Sequence, residues 1–155
     1  MPHRRAVVHT DASASGLGYT VDNQAFSRQW QPSEINRSSN WKELRAVLEP
    51  WISHPELLRG KLVISKTDNA TAAGYANIGA GSSPQLAELA RGLKLIEVDL
   101  GSFVLCSHIS GVCNSTADAL SRLTPTSDLP TVGPHVLIGK KPGAKSGVSP
   151  PPKEF

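Results

Sequence analysis

The sequence predicts an α/β fold, a mixed five-stranded sheet with helices packed on it in the order βββαβααβα. Three observations carry this. Short β-branched runs recur at residues 5–10 (RAVVHT) and 61–66 (KLVISK). Apolar residues fall at helical spacing over 44–51 and 86–96. Small, turn-forming and cap-forming residues separate these segments throughout.

Taken in order, residues 5–10 form a strand that ends at Asp11, and Ala12 to Gly18 is a turn of small residues. Residues 17–21 and 25–30 are two strands around a turn at Asp22-Asn23, an antiparallel hairpin. A polar loop at 31–39 leads to a helix over about 40–53, capped near Ser39 or Asn40, with Leu44, Val47, Leu48 and Trp51 on one face. The strand 61–66 runs into Thr67-Asp68-Asn69 and a short helix over about 69–77. Ser83-Pro84 opens a longer helix, a cap followed by proline at the first helical position. Residues 102–109 are the last strand of the sheet. After the loop 110–113, Asn114 caps a final helix over about 115–123.

At 155 residues the chain suffices for one domain with a sizeable core. Composition changes near residue 124: domain 1–123 is followed by a segment, 124–155, rich in Pro, Gly, Ser and Lys. That segment reads as a linker or disordered tail, with one apolar patch at Val136-Leu137-Ile138. No apolar run approaches the roughly 18–20 residues that span a bilayer, so no membrane partner is expected. The N-terminus has no apolar signal region, which predicts an intracellular protein, cytoplasmic or nuclear and not secreted. Cys106 and Cys113 make neither a disulfide framework nor a zinc pattern. Residues 1–123 carry 12 basic side chains against 11 acidic, and the tail 4 against 2. A self-sufficient nucleic-acid binder shows a stronger basic excess. Such a partner would therefore need a second domain for much of its grip.

Four carboxylates stand at strand ends or on first helical turns: Asp11, Glu43, Asp68 and Asp118. Strand ends are where ligands gather in open α/β sheets. Two divalent cations held close together need several carboxylates, and such a cluster repels itself without them. Each acid alone has an ordinary reading. Asp11 suits a turn cap, Asp68 a helix N-cap, and Glu43 and Asp118 the positive end of a helix dipole. Oxygen-only ligands favour hard cations and argue against zinc.

Four motifs then carry a resemblance. They are Thr10-Asp11-Ala12-Ser13 with Gly16-Leu17-Gly18-Tyr19; Asn40-Trp41-Lys42-Glu43-Leu44; Thr67-Asp68-Asn69-Ala70-Thr71-Ala72; and the stretch from His108 to Arg122. The last follows His-x-x-Gly-x-x-Asn-x-x-Ala-Asp-x-Leu-Ser-Arg and is the most specific. Over residues 5–123 the chain resembles the ribonuclease H domain of a retroelement reverse transcriptase, within the type 1 ribonuclease H family and closest to the DIRS-type retrotransposon branch. The resemblance implies a ribonuclease H-like fold and an RNA–DNA hybrid endonuclease with two divalent cations, Mg²⁺ or alternatively Mn²⁺. It implies Asp11, Glu43, Asp68 and Asp118 as catalytic metal ligands, Asp11 bridging both ions. His108 matches a mobile histidine that moves protons or helps product leave. Asn40, Asn114, Ala12 and Ser13 match positions near the substrate, with Asn40 placed to touch a ribose 2′-hydroxyl. Asn114 serves equally as an N-cap.

Two-metal hydrolysis so implied leaves 5′-phosphate and 3′-hydroxyl ends. The resemblance also implies a polymerase domain in the same polyprotein. Residues 69–90 contain no Lys or Arg, where cellular relatives carry a basic protrusion, so activity of this chain alone is expected to be weak. Lys42, Arg45, Lys66 and Arg122 remain as candidate phosphate contacts. His9, two residues before Asp11, reads as a packing residue. Transposase-like members of the fold place Glu last, whereas here Glu is second and Asp118 is last. The alternative is a catalytically inactive ribonuclease H-like domain that binds nucleic acid or acts as a scaffold, which would ordinarily have lost one or more of the acids.

Overall fold

In a computed structural model of the chain, the described residues are 4–123, 131–132 and 135–139. The strands are β1 (Arg4–Ala12), β2 (Gly16–Val21), β3 (Gln24–Gln29), β4 (Lys61–Thr67) and β5 (Phe103–His108). The helices are α1 (Ser39–Ser53), α2 (Pro55–Leu58), α3 (Ala70–Ile78), α4 (Pro84–Leu100) and α5 (Ser115–Ser121), with a 3₁₀ turn at Gly111–Asn114. The five expected strands and four expected helices are all present, their ends displaced by a residue or two. The α1 cap is Ser38, one residue earlier than expected; its hydroxyl accepts from Trp41 N. The single-turn α2, opened by Pro55, was not anticipated.

The sheet runs β5-β4-β1-β2-β3. β1 is central, antiparallel to β2 and parallel to β4, and β4 is parallel to β5. β2 and β3 form the expected hairpin. Its turn places Asp22 at φ 52, while the Asp22 carboxylate accepts from Val7 N at 2.9 Å. Short polar side chains tolerate this left-handed conformation because they bond locally.

Two strands extend the sheet beyond the expected five: β6 (Thr131–Val132) and β7 (His135–Gly139). β7 pairs antiparallel with β3 and β6 with β7. The physical reason is the open edge of β3, whose backbone groups need partners. β7 contains the one apolar patch of the Pro-rich segment. The rest of that segment, expected as linker or tail, lies outside the described residues.

Helices α1, α3 and α4 pack on one face, where Ala6, Val8, Leu17 and Tyr19 meet Leu44, Val47, Trp51 and Leu93. α5 packs on the other face, across β1, β2 and β3. An ion network joins β3 to α1 beneath the 31–38 loop. Arg28 Nη1 and Nη2 donate to Glu34 at 2.8 and 3.0 Å, and Nη2 also to Glu49 at 3.2 Å. Arg45 Nη1 lies 2.7 Å from Glu49, and Ser53 Oγ donates to Glu49 at 2.6 Å. Among the described residues no helix is long and apolar enough to cross a membrane.

The β5 edge is closed by side chains. Asn77 Nδ2 donates to Cys106 O at 2.7 Å, and Asn77 Oδ1 accepts from Cys106 N at 2.8 Å. Glu97 accepts from Val104 N at 3.3 Å. The Asn77 amide thus occupies the donor and acceptor that a further strand would use. Asn77→Ala is expected to show concentration-dependent self-association in analytical ultracentrifugation. A strictly monomeric variant at high concentration would count against this role.

Candidate metal centre

The central strands deliver two acids to one end of the sheet. Asp11 lies near the end of β1 and is 2% exposed. Asp68 directly follows β4, the parallel neighbour of β1. Glu43 comes from α1, which packs across β1. One carboxylate oxygen from each of Asp11, Glu43 and Asp68 lies within 4.8 Å of the other two.

Local structure removes three of the ordinary readings. The α3 cap is Asn69, whose Oδ1 accepts from Ala72 N at 2.8 Å, so Asp68 is not used as a cap. α1 begins at Ser39 and has no acid in its first turn, so Glu43 lies past the helix start. Asp11 sits within β1, and the turn that follows is bonded by Ser13. Asp118 does lie in the first turn of α5. It stands beside the three, sharing a hydrogen bond with Asp11, and its Oδ1 accepts from Arg122 Nε and Nη2 at 3.2 and 3.0 Å.

The electrostatics are those of a crowded anionic site. Burial, reinforced by Glu43, the bond to Asp118 and the Asp68 charge, pushes Asp11 up to about 9. Burial and Asp68 push Glu43 up to about 8, against the Ala12 N–H. Glu43 Oε1 is buried without a hydrogen-bond partner. An orphaned carboxylate oxygen beside two other acids fits a hard divalent cation, which supplies the missing partner and the offsetting charge.

A pH dependence follows. Both folded-state values exceed the ordinary 3.8 and 4.5, so the metal-free fold loses stability as pH rises from about 4 to about 9. Cation binding expels these protons. Scanning fluorimetry is expected to show a metal-free midpoint that falls across this window. The gain from Mg²⁺ or Mn²⁺ should be larger at about pH 8 than at about pH 6. An equal gain at both would contradict protonated ligands.

α5 can bring Asp118 this close only because β2 carries Gly18 beneath it. A Cβ at Gly18 would lie 2.5 Å from Ser121 N and 2.6 Å from the Leu120 carbonyl carbon, backbone atoms that cannot rotate away. Ser13 Oγ donates to Ser121 O at 2.7 Å, and Ser27 Oγ to Leu120 O at 2.5 Å. Ser121 Oγ donates to Asp118 O at 2.7 Å and reaches Asp11 Oδ2 at 3.4 Å. Ser121 and Ser27 were missed in the sequence because their roles arise only when α5 docks.

The other expected residues divide. His108 ends β5 exposed, in register with Thr67, the residue before Asp68. Asn40 is exposed at the mouth of the site, where its Oδ1 accepts from Asn69 Nδ2 at 3.0 Å. Ala12 and Ser13 line an open cleft of about 370 Å³ beside Glu43. Asn114 stands at the N-cap position of α5, as one of its two readings expects, but its side chain makes no cap bond. It is 1% exposed, and its Nδ2 donates to Thr10 O at 2.8 Å. It braces β1 next to Asp11. Arg45 is likewise spent on Glu49 rather than free for phosphate.

Solved structures share this fold. The chain superposes on ribonuclease H1 from the halophilic archaeon Halobacterium salinarum with TM-score 0.61 at 12% identity, covering 75% of this chain and 93% of that one. The fold is ribonuclease H-like. The LC11 ribonuclease H1 in complex with an RNA/DNA hybrid gives TM-score 0.62 at 16% identity over 74% of this chain and 92% of that one. The foamy viral protease–reverse transcriptase in complex with an RNA/DNA hybrid gives TM-score 0.52 at 16% identity over 77% of this chain and 20% of that one. No protein-family model and no curated protein sequence matches the chain. Among the described residues α5 is the last helix, and it carries Asp118.

Proposed function

We propose that the chain is a metal-dependent endoribonuclease that hydrolyses the RNA strand of RNA–DNA hybrids, as the ribonuclease H domain of a retroelement reverse transcriptase of the DIRS-type branch. The observation that carries this reading is the meeting of Asp11, Glu43 and Asp68 within 4.8 Å at one end of a ribonuclease H-like sheet, with Asp118 alongside. Two proteins of the same fold, the LC11 enzyme and the foamy viral reverse transcriptase, are described in complex with RNA/DNA hybrids, which supports the substrate class.

Asp11, Glu43, Asp68 and Asp118 would hold two divalent cations, Mg²⁺ or Mn²⁺. When bound, these supply charge stabilisation for the phosphodiester and a more acidic water. The chain's own groups do the rest. Asn40 would contact a ribose 2′-hydroxyl, a role its exposure beside Asn69 supports. His108 would move a proton or help product leave, a role its exposure at the end of β5 supports. Arg122 holds the Asp118 carboxylate, one of the four that would bind the cations. The near-neutral charge of residues 1–123 leaves much of the hybrid grip to the polymerase domain.

The test is cleavage of a 5′-labelled RNA strand within a hybrid, in Mg²⁺ and then Mn²⁺, with Asp68→Asn as control and double-stranded DNA and RNA as other substrates. Cutting of the hybrid alone, lost in Asp68→Asn, is expected, weak for the chain by itself and stronger when fused to its polymerase. No cutting by the folded chain or the fusion would leave in its place the reading of an inactive nucleic-acid-binding or scaffolding domain.

A further inference from the structure

The cleft beside Glu43 has one wall of small residues, Ala12, Ser13 and Ala14, and a second wall that carries Arg37, Ser39 and Lys42. The two cations are unusual for their surroundings. Neither Arg37 nor Lys42 pairs with an acid among the described residues, although Glu43 shares the cleft with both. Both are held over aromatic rings instead. Arg37 Cζ lies 4.7 Å from the Trp41 ring centroid, and Lys42 Nζ lies 5.7 Å from that of Trp30. The two indoles themselves pack at 6.4 Å, tilted 57°. Trp30 Nε1 donates to Ser13 O at 2.8 Å, so the same ring that carries Lys42 also fixes the opposite wall.

We infer that Arg37 and Lys42 form a subsite for a backbone phosphate of the strand being cut, next to the phosphate held at the carboxylate cluster. This rests on the reading of the chain as a hybrid nuclease. The shared wall carries the argument: Glu43 belongs both to the acid cluster and to the cleft, so a strand centred on the cluster continues into the cleft. There it needs neutralising charge, which the four acids do not supply and two unpaired cations do. The small side chains of residues 12–14 let a sugar–phosphate backbone approach. The tryptophan faces hold the cations in place before the ligand arrives, which reduces the ordering cost of binding. The sequence offers Lys42 as one of four candidate phosphate contacts but not Arg37, whose place on the cleft depends on the 31–38 loop being clipped to β3 and α1 through Glu34.

The experiment measures binding of an end-labelled RNA–DNA hybrid by fluorescence anisotropy across a salt series, without divalent metal, alongside cleavage in Mg²⁺. The variants are Arg37→Gln/Lys42→Gln, the charge-keeping Arg37→Lys/Lys42→Arg, and Lys61→Gln at the far end of β4. The double Gln variant is expected to flatten the dependence of log K on log salt by about 1 for each cation removed. Its KM should rise more than its kcat falls. The charge-keeping variant should retain most of the slope, and Lys61→Gln all of it. An unchanged slope in a double Gln variant with wild-type thermal stability overturns the subsite, as does a wild type that binds no hybrid at low salt. A wild type whose binding depends on Arg37 and Lys42 but which cuts nothing, alone or fused to its polymerase, supports the subsite and sinks the nuclease reading alone.

Discussion

Asp11→Asn is expected to lower metal-dependent cleavage of an RNA–DNA hybrid by on the order of 10³-fold or more while leaving the chain folded. Asp11 is the most buried of the four acids and the one whose carboxyl feels each of the other three. Removing its charge withdraws a ligand from the middle of the cluster rather than its rim. The replacement is close to isosteric. Because burial holds Asp11 protonated in the metal-free protein at neutral pH, Asn mimics the state already present. The metal-free variant should therefore match or exceed wild-type stability. The loss appears in two readouts together: turnover, and the thermal shift produced by Mg²⁺ or Mn²⁺. Asp118→Asn should cost less in the thermal shift, since Asp118 stands outside the three oxygens that converge. A folded Asp11→Asn protein that cuts within about tenfold of wild type would remove this residue from the metal centre.

Arg28→Ala is expected to cost about 3–5 kcal/mol of folding stability, read by chemical denaturation. Arg28 is 5% exposed, and its guanidinium bonds both Glu34 oxygens and Glu49, which is 1% exposed. Deleting it leaves two carboxylates to Arg45, 2.7 Å from Glu49 but 4.0 Å from Glu34. Burial alone would raise Glu34, yet the hydrogen bonds from Arg28 and Gln31 N hold it below its usual value. That part of the stability is present above the unfolded pKa and lost as pH falls through the folded one. Arg28→Met combined with Glu49→Leu should cost less than Arg28→Ala, because no buried charge is then left alone. If Arg28→Ala cost under about 1 kcal/mol, the network would be ornamental to folding. The variant also tests the cleft, since the loop released by losing Arg28 carries Arg37.

The strands and long helices were legible because each is a local pattern. The Ser83-Pro84 start of α4 was readable for the same reason: a cap hydroxyl and a proline act within a few residues of themselves. The α1 cap slipped by one residue because Ser38, Ser39 and Asn40 are all competent caps, and the choice falls to the position of Trp41 in the core. The added strands were not legible because β7 has a partner only once β3 is an edge.

By itself the sequence determined the order of the elements, the four acids, and the places of Asp68 just past a strand and of Asp118 in a first helical turn. Spacing along the chain sets these directly. Only the tertiary structure decided what those residues do. Asp68 is left free because Asn69 takes the cap, and Asn114, at the N-cap position of α5, bonds Thr10 O instead of its own helix. Arg45 is consumed by Glu49, whereas Arg37, unmarked in the sequence, stands over Trp41 at the cleft. The physical reason is that a polar side chain's role is set by the partners left to it once the backbone is packed, and those partners lie up to 110 positions away, as Asp11 and Ser121 do.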